Sequence, residues 1–204
     1  MIYLCRHGQT FHNREGRLQG RTESDLTPLG RAQAEAMGAL LSDLVRRDPP
    51  APWRLVASPL RRARQTAEAI AARLDLPVEL DERLVEIDVG EWSGRLREEV
   101  RGENPHLRGD DAWGFHAPGG ETYEAMTARV GGWLADQAPE PDRRLIVVSH
   151  GVAGRLLRGA YAGLSREETL RQDIPQDAIH RLMGGQIDRL DCAPIAEPAL
   201  SPIP

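Results

Sequence analysis

The chain contains no lysine: all 26 of its basic residues are arginine. That absence excludes Schiff-base chemistry, a lysine general base and the lysine of a phosphate-binding P-loop. It leaves a basic set suited to forked contact with phosphate or carboxylate. Cysteine is scarce, with Cys5 and Cys192 far apart and no CxxC or Cys/His ligand spacing. A disulfide framework and structural zinc are therefore not expected, and a reduced, cytoplasmic setting is. No run of about 18 apolar residues exists, so no membrane span is expected. The N-terminal run Ile2 to Cys5 passes at once into Arg6-His7, which is not the pattern of a signal peptide. A formal charge of −5 points away from nucleic acid as the main partner. What is present is ordinary for a globular chain, with 40% hydrophobic and 28% charged residues among 204, enough to bury a core.

No internal repeat is visible. Short apolar runs at Ile2 to Cys5, Leu55 to Ala57, Pro77 to Leu80 and Leu145 to Ser149 read as strands, the last from its β-branched content. Between them lie amphipathic patterns. One runs from Thr27 to Arg47, with Thr27 as N-cap and Pro28 as first helical residue, and ends at Asp48-Pro49-Pro50-Ala51-Pro52. A second is expected to open on Ser58-Pro59 in the same cap-plus-proline manner and carries Leu60, Ala63, Ala67, Ile70 and Leu74. Others run from Thr122 to Gln137 and from Val152 to Ala162, and Ser165 to Glu168 reads as a capping box. Gly184-Gly185 between two alternating runs reads as a hairpin turn. This order predicts an α/β fold with a mostly parallel sheet covered on both faces. One domain over residues 1–192 is expected. From 193 to 204, four prolines in twelve residues predict an extended or disordered tail.

In such a sheet, ligands bind beyond the carboxyl ends of the strands. The first strand is followed by Arg6-His7-Gly8-Gln9-Thr10 and Asn13, the second by Ser58-Pro59-Leu60-Arg61-Arg62, and the strongest late strand by His150-Gly151. Two histidines and two arginines thus aim at one edge, and a glycine after each histidine allows close approach of a bound group. This convergence predicts an oxyanion site, most plausibly for a phosphoryl group. Arg6 and Arg62 would clamp it through forked donors, aided by the N–H groups opening the helix after His150. A histidine amid positive charge is driven toward its neutral, nucleophilic form, which would yield a phosphohistidine. A carboxyl is then needed to protonate the leaving oxygen.

These segments resemble the signature of the histidine phosphatase superfamily, the group that contains the cofactor-dependent phosphoglycerate mutases. The resemblance rests on Arg6-His7-Gly8-Gln9-Thr10 with Asn13, Gln19-Gly20, Leu26-Thr27 with Gly30, and Ser58-Pro59-Leu60-Arg61-Arg62-Ala63 with Gln65-Thr66-Ala67. It continues through Leu84-Val85-Glu86, Gly90, Trp92-Ser93-Gly94, Pro118-Gly119-Gly120-Glu121 and Val147 to Gly151, and so spans Ile2 to Tyr161 in order. It implies a phosphoglycerate mutase-like three-layer α/β/α sandwich, with His7 as phosphorylated nucleophile and Arg6, Arg62 and His150 completing the phosphate pocket. Glu86 matches the proton donor, and Thr10, Asn13, Gln19 and Gly20 match positions lining the phosphate or substrate entrance, with Gly151 beside them. No metal and no cofactor are implied.

Glu82, Asp88 and Glu91 are the alternative acids near Glu86. Arg61 and Arg64 read as solvated, His12, His106, His116 and His180 as surface or packing residues, and Cys5 as a small core residue. Glu121 reads either as a salt-bridge partner at the following helix start or as a substrate contact. Only 64 positions separate Glu86 from His150, and the segment after Ala193 has no arginine. In the mutases a long insert and a basic tail close the site, so hydrolysis is favoured over mutase activity or a catalytically silent phospholigand-binding domain. The expected partner is a small phosphomonoester, a sugar phosphate or phosphorylated acid, and a homodimer is compatible with the sequence. Residues 101 to 118, with Arg101, His106, Arg108, Trp113, Phe115 and His116, are expected to cover the site.

Overall fold

The computed structural model describes residues 1–48, 52–109 and 111–195. In chain order the strands are β1 (Ile2–Arg6), β2 (Arg54–Ala57), β3 (Val78–Leu80), β4 (Leu145–Ser149), β5 (Ala178–Met183) and β6 (Gln186–Asp191). They form one sheet in the order β3-β2-β4-β1-β5-β6. The first four strands pair in parallel, whereas β5 runs antiparallel to β1, and β6 to β5, across the Gly184-Gly185 turn.

The near-continuous apolar runs of β1 and β4 follow from burial on both faces. Alternate residues go to opposite sides. Ile2, Leu4, Leu145 and Val147 join one core, with Met126, Val130, Trp133, Leu156 and Leu157 from α5 (Tyr123–Ala135) and α6 (Gly151–Ala162). Tyr3, Cys5, Ile146 and Val148 join the other, with Met37, Leu41, Ala63, Ala67 and Ile70 from α2 (Pro28–Arg47) and α3 (Arg61–Leu74). The result is the expected three layers. Shorter helices are α1 (Phe11–Arg14), α4 (Arg97–Glu103) and α7 (Arg166–Arg171). Among the described residues no helix is long and apolar enough to cross a membrane.

Thr27 caps α2 by accepting from Gly30 N–H at 3.0 Å, and Ser165 with Glu168 forms the predicted capping box. Three details differ from expectation. Ser58-Pro59 does not open α3, which starts at Arg61 after an N-cap, Leu60, that has no side-chain acceptor. Ser58 continues the sheet register, donating its N–H to Val148 O at 3.0 Å, and its hydroxyl is thereby aimed at the site. The polar stretch after β1 holds α1, because Thr10 and Asn13 cap each other reciprocally. Residues 82–116, read as having no regular structure, contain α4 and four 3₁₀ turns. The predicted tail falls outside the described residues from 196 onward, as does the Pro49-Pro50-Ala51 segment following α2.

The loop leaving β1 is held by backbone-to-backbone packing. A Cβ on Gly8 would lie 2.2 Å from Gly30 O, and one on Gly30 would lie 2.0 Å from Gln9 O. Gly8 is therefore required by the start of α2. The expectation that it makes room for a bound group is replaced by this steric reason. Gly30→Ala is expected to cost about 1–3 kcal/mol as overpacking, read as a lower denaturation midpoint at unchanged m-value. The same variant should lose phosphate-ester turnover, because relief of the clash moves the residues carrying His7.

Candidate active site

Strands β1, β4 and β2 are neighbours, and Arg6 pairs with Ser149 across the first two. Residues following each strand therefore emerge side by side at one sheet edge. His7 N–H donates to Ser149 O at 3.0 Å, which continues the ladder one step into the site. The rings of His7 and His150 lie 5.1 Å apart, both nearly inaccessible to solvent.

Between them sits the fully buried Arg62. Its Nε–H is shared between His7 Nε2 and His150 Nδ1, each at 3.2 Å. Its Nη1 and Nη2 donate to Thr22 O at 2.9 Å and Gly20 O at 2.8 Å. The forked clamp on phosphate expected of Arg62 is therefore already engaged by protein acceptors, since a buried guanidinium must be satisfied in the empty site as well. Gly20 presents its carbonyl from a left-handed conformation, φ 51°, which favours glycine.

These contacts assign the tautomers. His7 Nδ1 lies 2.8 Å from Gly8 O, which can only accept, so Nδ1 carries the proton and Nε2 the lone pair. His150 accepts at Nδ1, so its Nε2–H donates to Ser58 Oγ at 2.8 Å. Burial, and then the charge of Arg62, hold both imidazoles well below their ordinary 6.5. Burial also pulls the Arg6 guanidinium down to about 10, opposed by the field of Glu86. Arg6 Nη1 donates to Ile174 O at 2.5 Å, while its buried Nε has no partner and is free to meet an incoming oxygen.

Glu86 lies in the chain between β3 and α4, and two groups fix that segment. Ser149 Oγ donates to Leu84 O at 2.8 Å. Arg129 of α5 donates Nη1 to Arg83 O at 2.8 Å and Val85 O at 2.9 Å, and grips Glu121 with Nε and Nη2. Glu121 therefore pairs with arginine and does not line the cleft, which resolves its two readings. The Glu86 carboxylate accepts from Ile87 N–H at 3.0 Å and from Val152 and Ala153 N–H at 3.1 Å each. Val152 and Ala153 belong to the first turn of α6. The N–H groups expected to meet a bound oxyanion thus hold Glu86 in the empty site, as a carboxylate at a helix N-terminus is favoured there.

Arg6, His7, Arg62, Glu86, Asn13, Gln19, Gly20 and Gly151 line one open cleft of about 820 Å³. His150 stands behind it, on a smaller cavity with Arg158 and His180. Thr10 does not line the cleft. It is fully buried, caps α1 and donates Oγ–H to Gln19 Oε1 at 2.9 Å, so it orients Gln19. From residues 101 to 118, Asp111, Trp113, Gly114 and Phe115 wall the cleft, whereas His106 and Arg108 are exposed and not among the lining residues. Sequence reasoning missed Ser58 as the His150 partner and Thr66, which accepts from Gly8 N–H at 3.1 Å. It also missed Gln176, which donates to His7 O at 3.0 Å. Ser58 and Thr66 stand inside recognised motifs. Gln176 stands in none, and only the fold brings it there. Among the described residues no group of three or more His, Cys, Asp or Glu is arranged to hold a metal ion.

Three kinds of likeness to known proteins accompany this geometry. The sequence model of the histidine phosphatase superfamily (branch 1) matches residues 2–186. A glucosyl-3-phosphoglycerate phosphatase of Mycolicibacterium vanbaalenii is 37% identical over 175 residues, 80% of this chain and 74% of that protein. A probable phosphoglycerate mutase of Salmonella paratyphi C is 35% identical over 187 residues, 89% of this chain and 83% of that protein. The solved structure of a mycobacterial glucosyl-3-phosphoglycerate phosphatase in complex with VO3 superposes with a TM-score of 0.77 at 27% identity. That match covers 94% of this chain and 99% of the other.

The depressed histidines make stability depend on pH. Burial also lowers His180, to about 4. Between their folded values and the ordinary 6.5, the unfolded chain binds protons on His7, His150 and His180 that the folded chain refuses. Stability is therefore complete above that ordinary value and falls as the solution is acidified below it. Each histidine contributes a slope approaching about 1.4 kcal/mol per pH unit. Urea midpoints measured from pH ~7 to ~5 should fall accordingly. A His7→Asn/His150→Asn double variant should show a shallower fall, and an unchanged slope would contradict the assignment.

Proposed function

Because this chain belongs to branch 1 of the histidine phosphatase superfamily, we infer that it is a phosphatase of small phosphomonoesters acting through a phosphohistidine on His7. The observation that carries this reading is the buried, neutral His7 whose Nε2 lone pair is held toward the cleft by the Nδ1–H to Gly8 contact at 2.8 Å. A cleft of about 820 Å³ has room for an organic group beyond the phosphate. Residues 1–192 are read as a single catalytic domain, since one sheet spans both ends of that range. A cytoplasmic setting suits the free thiols of Cys5 and Cys192.

In the first step His7 Nε2 attacks phosphorus, the bond to the ester oxygen breaks, and Glu86 gives its proton to the departing alkoxide. As Nε2 is consumed, the Arg62 Nε–H it shared turns to the phosphoryl oxygen or to His150 alone. The unpartnered Arg6 Nε–H supplies a second donor to the equatorial oxygens. The imidazolium so formed keeps its Nδ1–H on Gly8 O. In the second step water attacks the phosphohistidine, the Glu86 carboxylate takes the water proton, and inorganic phosphate departs from a neutral His7. His150 does not touch the ester. It acts through Arg62, whose guanidinium it orients while Ser58 fixes its own ring.

Release of phosphate from p-nitrophenyl phosphate with a chelator present tests the activity. Glu86→Gln tests the acid. It should slow hydrolysis of alkyl phosphates by about 10²–10⁴-fold and of p-nitrophenyl phosphate far less, since a good leaving group needs little protonation. Equal slowing of both would assign Glu86 another role.

A further inference from the structure

The cleft carries more positive charge than one phosphoryl group explains. Five arginines line it (Arg6, Arg17, Arg62, Arg97 and Arg155) against two carboxylates, Glu86 and Asp111. Three of the five have evident tasks. Arg6 and Arg62 face the phosphoryl position, and Arg17 is held by Glu15 at 2.8 Å and Gly94 O at 2.9 Å. Arg155 donates Nε to Gln172 O at 2.6 Å and lies in the compensating fields of Asp111, Glu86 and Asp173.

Arg97 is different. It opens α4, is exposed at the cleft, and among the described residues its side chain has no hydrogen-bond or ion-pair partner. The one charge that bears on it strongly is a like charge, Arg101, one helical turn away. Arg101 itself sits 5.0 Å above the ring of Trp113, which walls the same cleft and stacks on Trp92. Two like charges at this spacing repel each other and stabilise nothing in the helix. They do, together with the apolar wall of Trp113, Phe115 and Ile87, build a rim of forked donors beside an organic surface.

We propose that Arg97, reinforced by Arg101, binds a second anionic group of the substrate, so that the enzyme prefers phosphomonoesters bearing a carboxylate or a second phosphate over those with a neutral body. This rests on the reading that the phosphoryl group is taken at His7. The apolar wall accommodates the carbon skeleton between the two anions, and Arg97 selects the substrate without touching the reacting bond.

Non-hydrolysable phosphonates test this by affinity, independently of turnover. In calorimetric titration the protein should bind 3-phosphonopropionate at least about tenfold more tightly than propylphosphonate, in line with a charge-assisted contact. Arg97→Gln, an exposed substitution that leaves the core untouched, should bring that ratio close to one. Propane-1,3-bisphosphonate binding more tightly than 3-phosphonopropionate would assign the second anion to phosphate, and the reverse order to carboxylate. Equal affinities of the unmodified protein for 3-phosphonopropionate and propylphosphonate, or a ratio that survives Arg97→Gln, would overturn the proposal. Absence of phosphate release from p-nitrophenyl phosphate would instead count against the phosphatase reading.

Discussion

One hydrogen-bond donor, the Nε–H of Arg62, organises the site. It lies between His7 Nε2 and His150 Nδ1 at equal distances of 3.2 Å, and both rings must present a lone pair to it. That requirement keeps two buried imidazoles neutral side by side and forces the remaining protons outward, to Gly8 O and Ser58 Oγ. A protonated ring would have to break this contact while facing a guanidinium in a poorly solvated space. The same guanidinium ties down the carbonyls of Gly20 and Thr22, so the nucleophile and the entrance loop share one anchor. Such a preorganised arrangement needs little rearrangement when charge develops on a phosphoryl group.

The sheet makes that anchor possible. Neighbouring β1 and β4 in register deliver His7 and His150 from adjacent strand ends, and β2 leads to Ser58 and Arg62 beside them. The acid arrives by a different route. Glu86 comes from an irregular segment fastened by Ser149 and Arg129, and its carboxylate rests on the first turn of α6. Nucleophile and acid are thus held by separate parts of the fold. Strain at Gly8 and Gly30 reaches His7 first, whereas loosening of Arg129 reaches Glu86 first.

Much of this is legible in the residues. Strands and caps announced themselves through β-branched runs, Thr27-Pro28 and the Gly184-Gly185 turn, and the strand-end residues pointed to one edge. The readings that changed share a cause. Ser58 resembles an N-cap because Ser-Pro is a good helix start, and only the ladder bond to Val148 shows that the strand continues through it. Thr10 resembles a pocket residue because it neighbours one, yet its hydroxyl is consumed by α1 and Gln19. The first turn of α6 resembles a free anion site because the sequence does not show that Glu86, 65 positions before Gly151, already occupies it. Local propensity carries the elements, but competition for a donor or acceptor is decided by partners distant in sequence.

The central claim is that His7 reacts through Nε2, with Nδ1 protonated and bound to Gly8. Trapping the phosphoenzyme during turnover, mapping the labelled peptide and determining the phosphohistidine isomer by phosphorus NMR tests it most directly. The account predicts phosphate on His7 at Nε2. A label on His150, or on Nδ1 of His7, would contradict it.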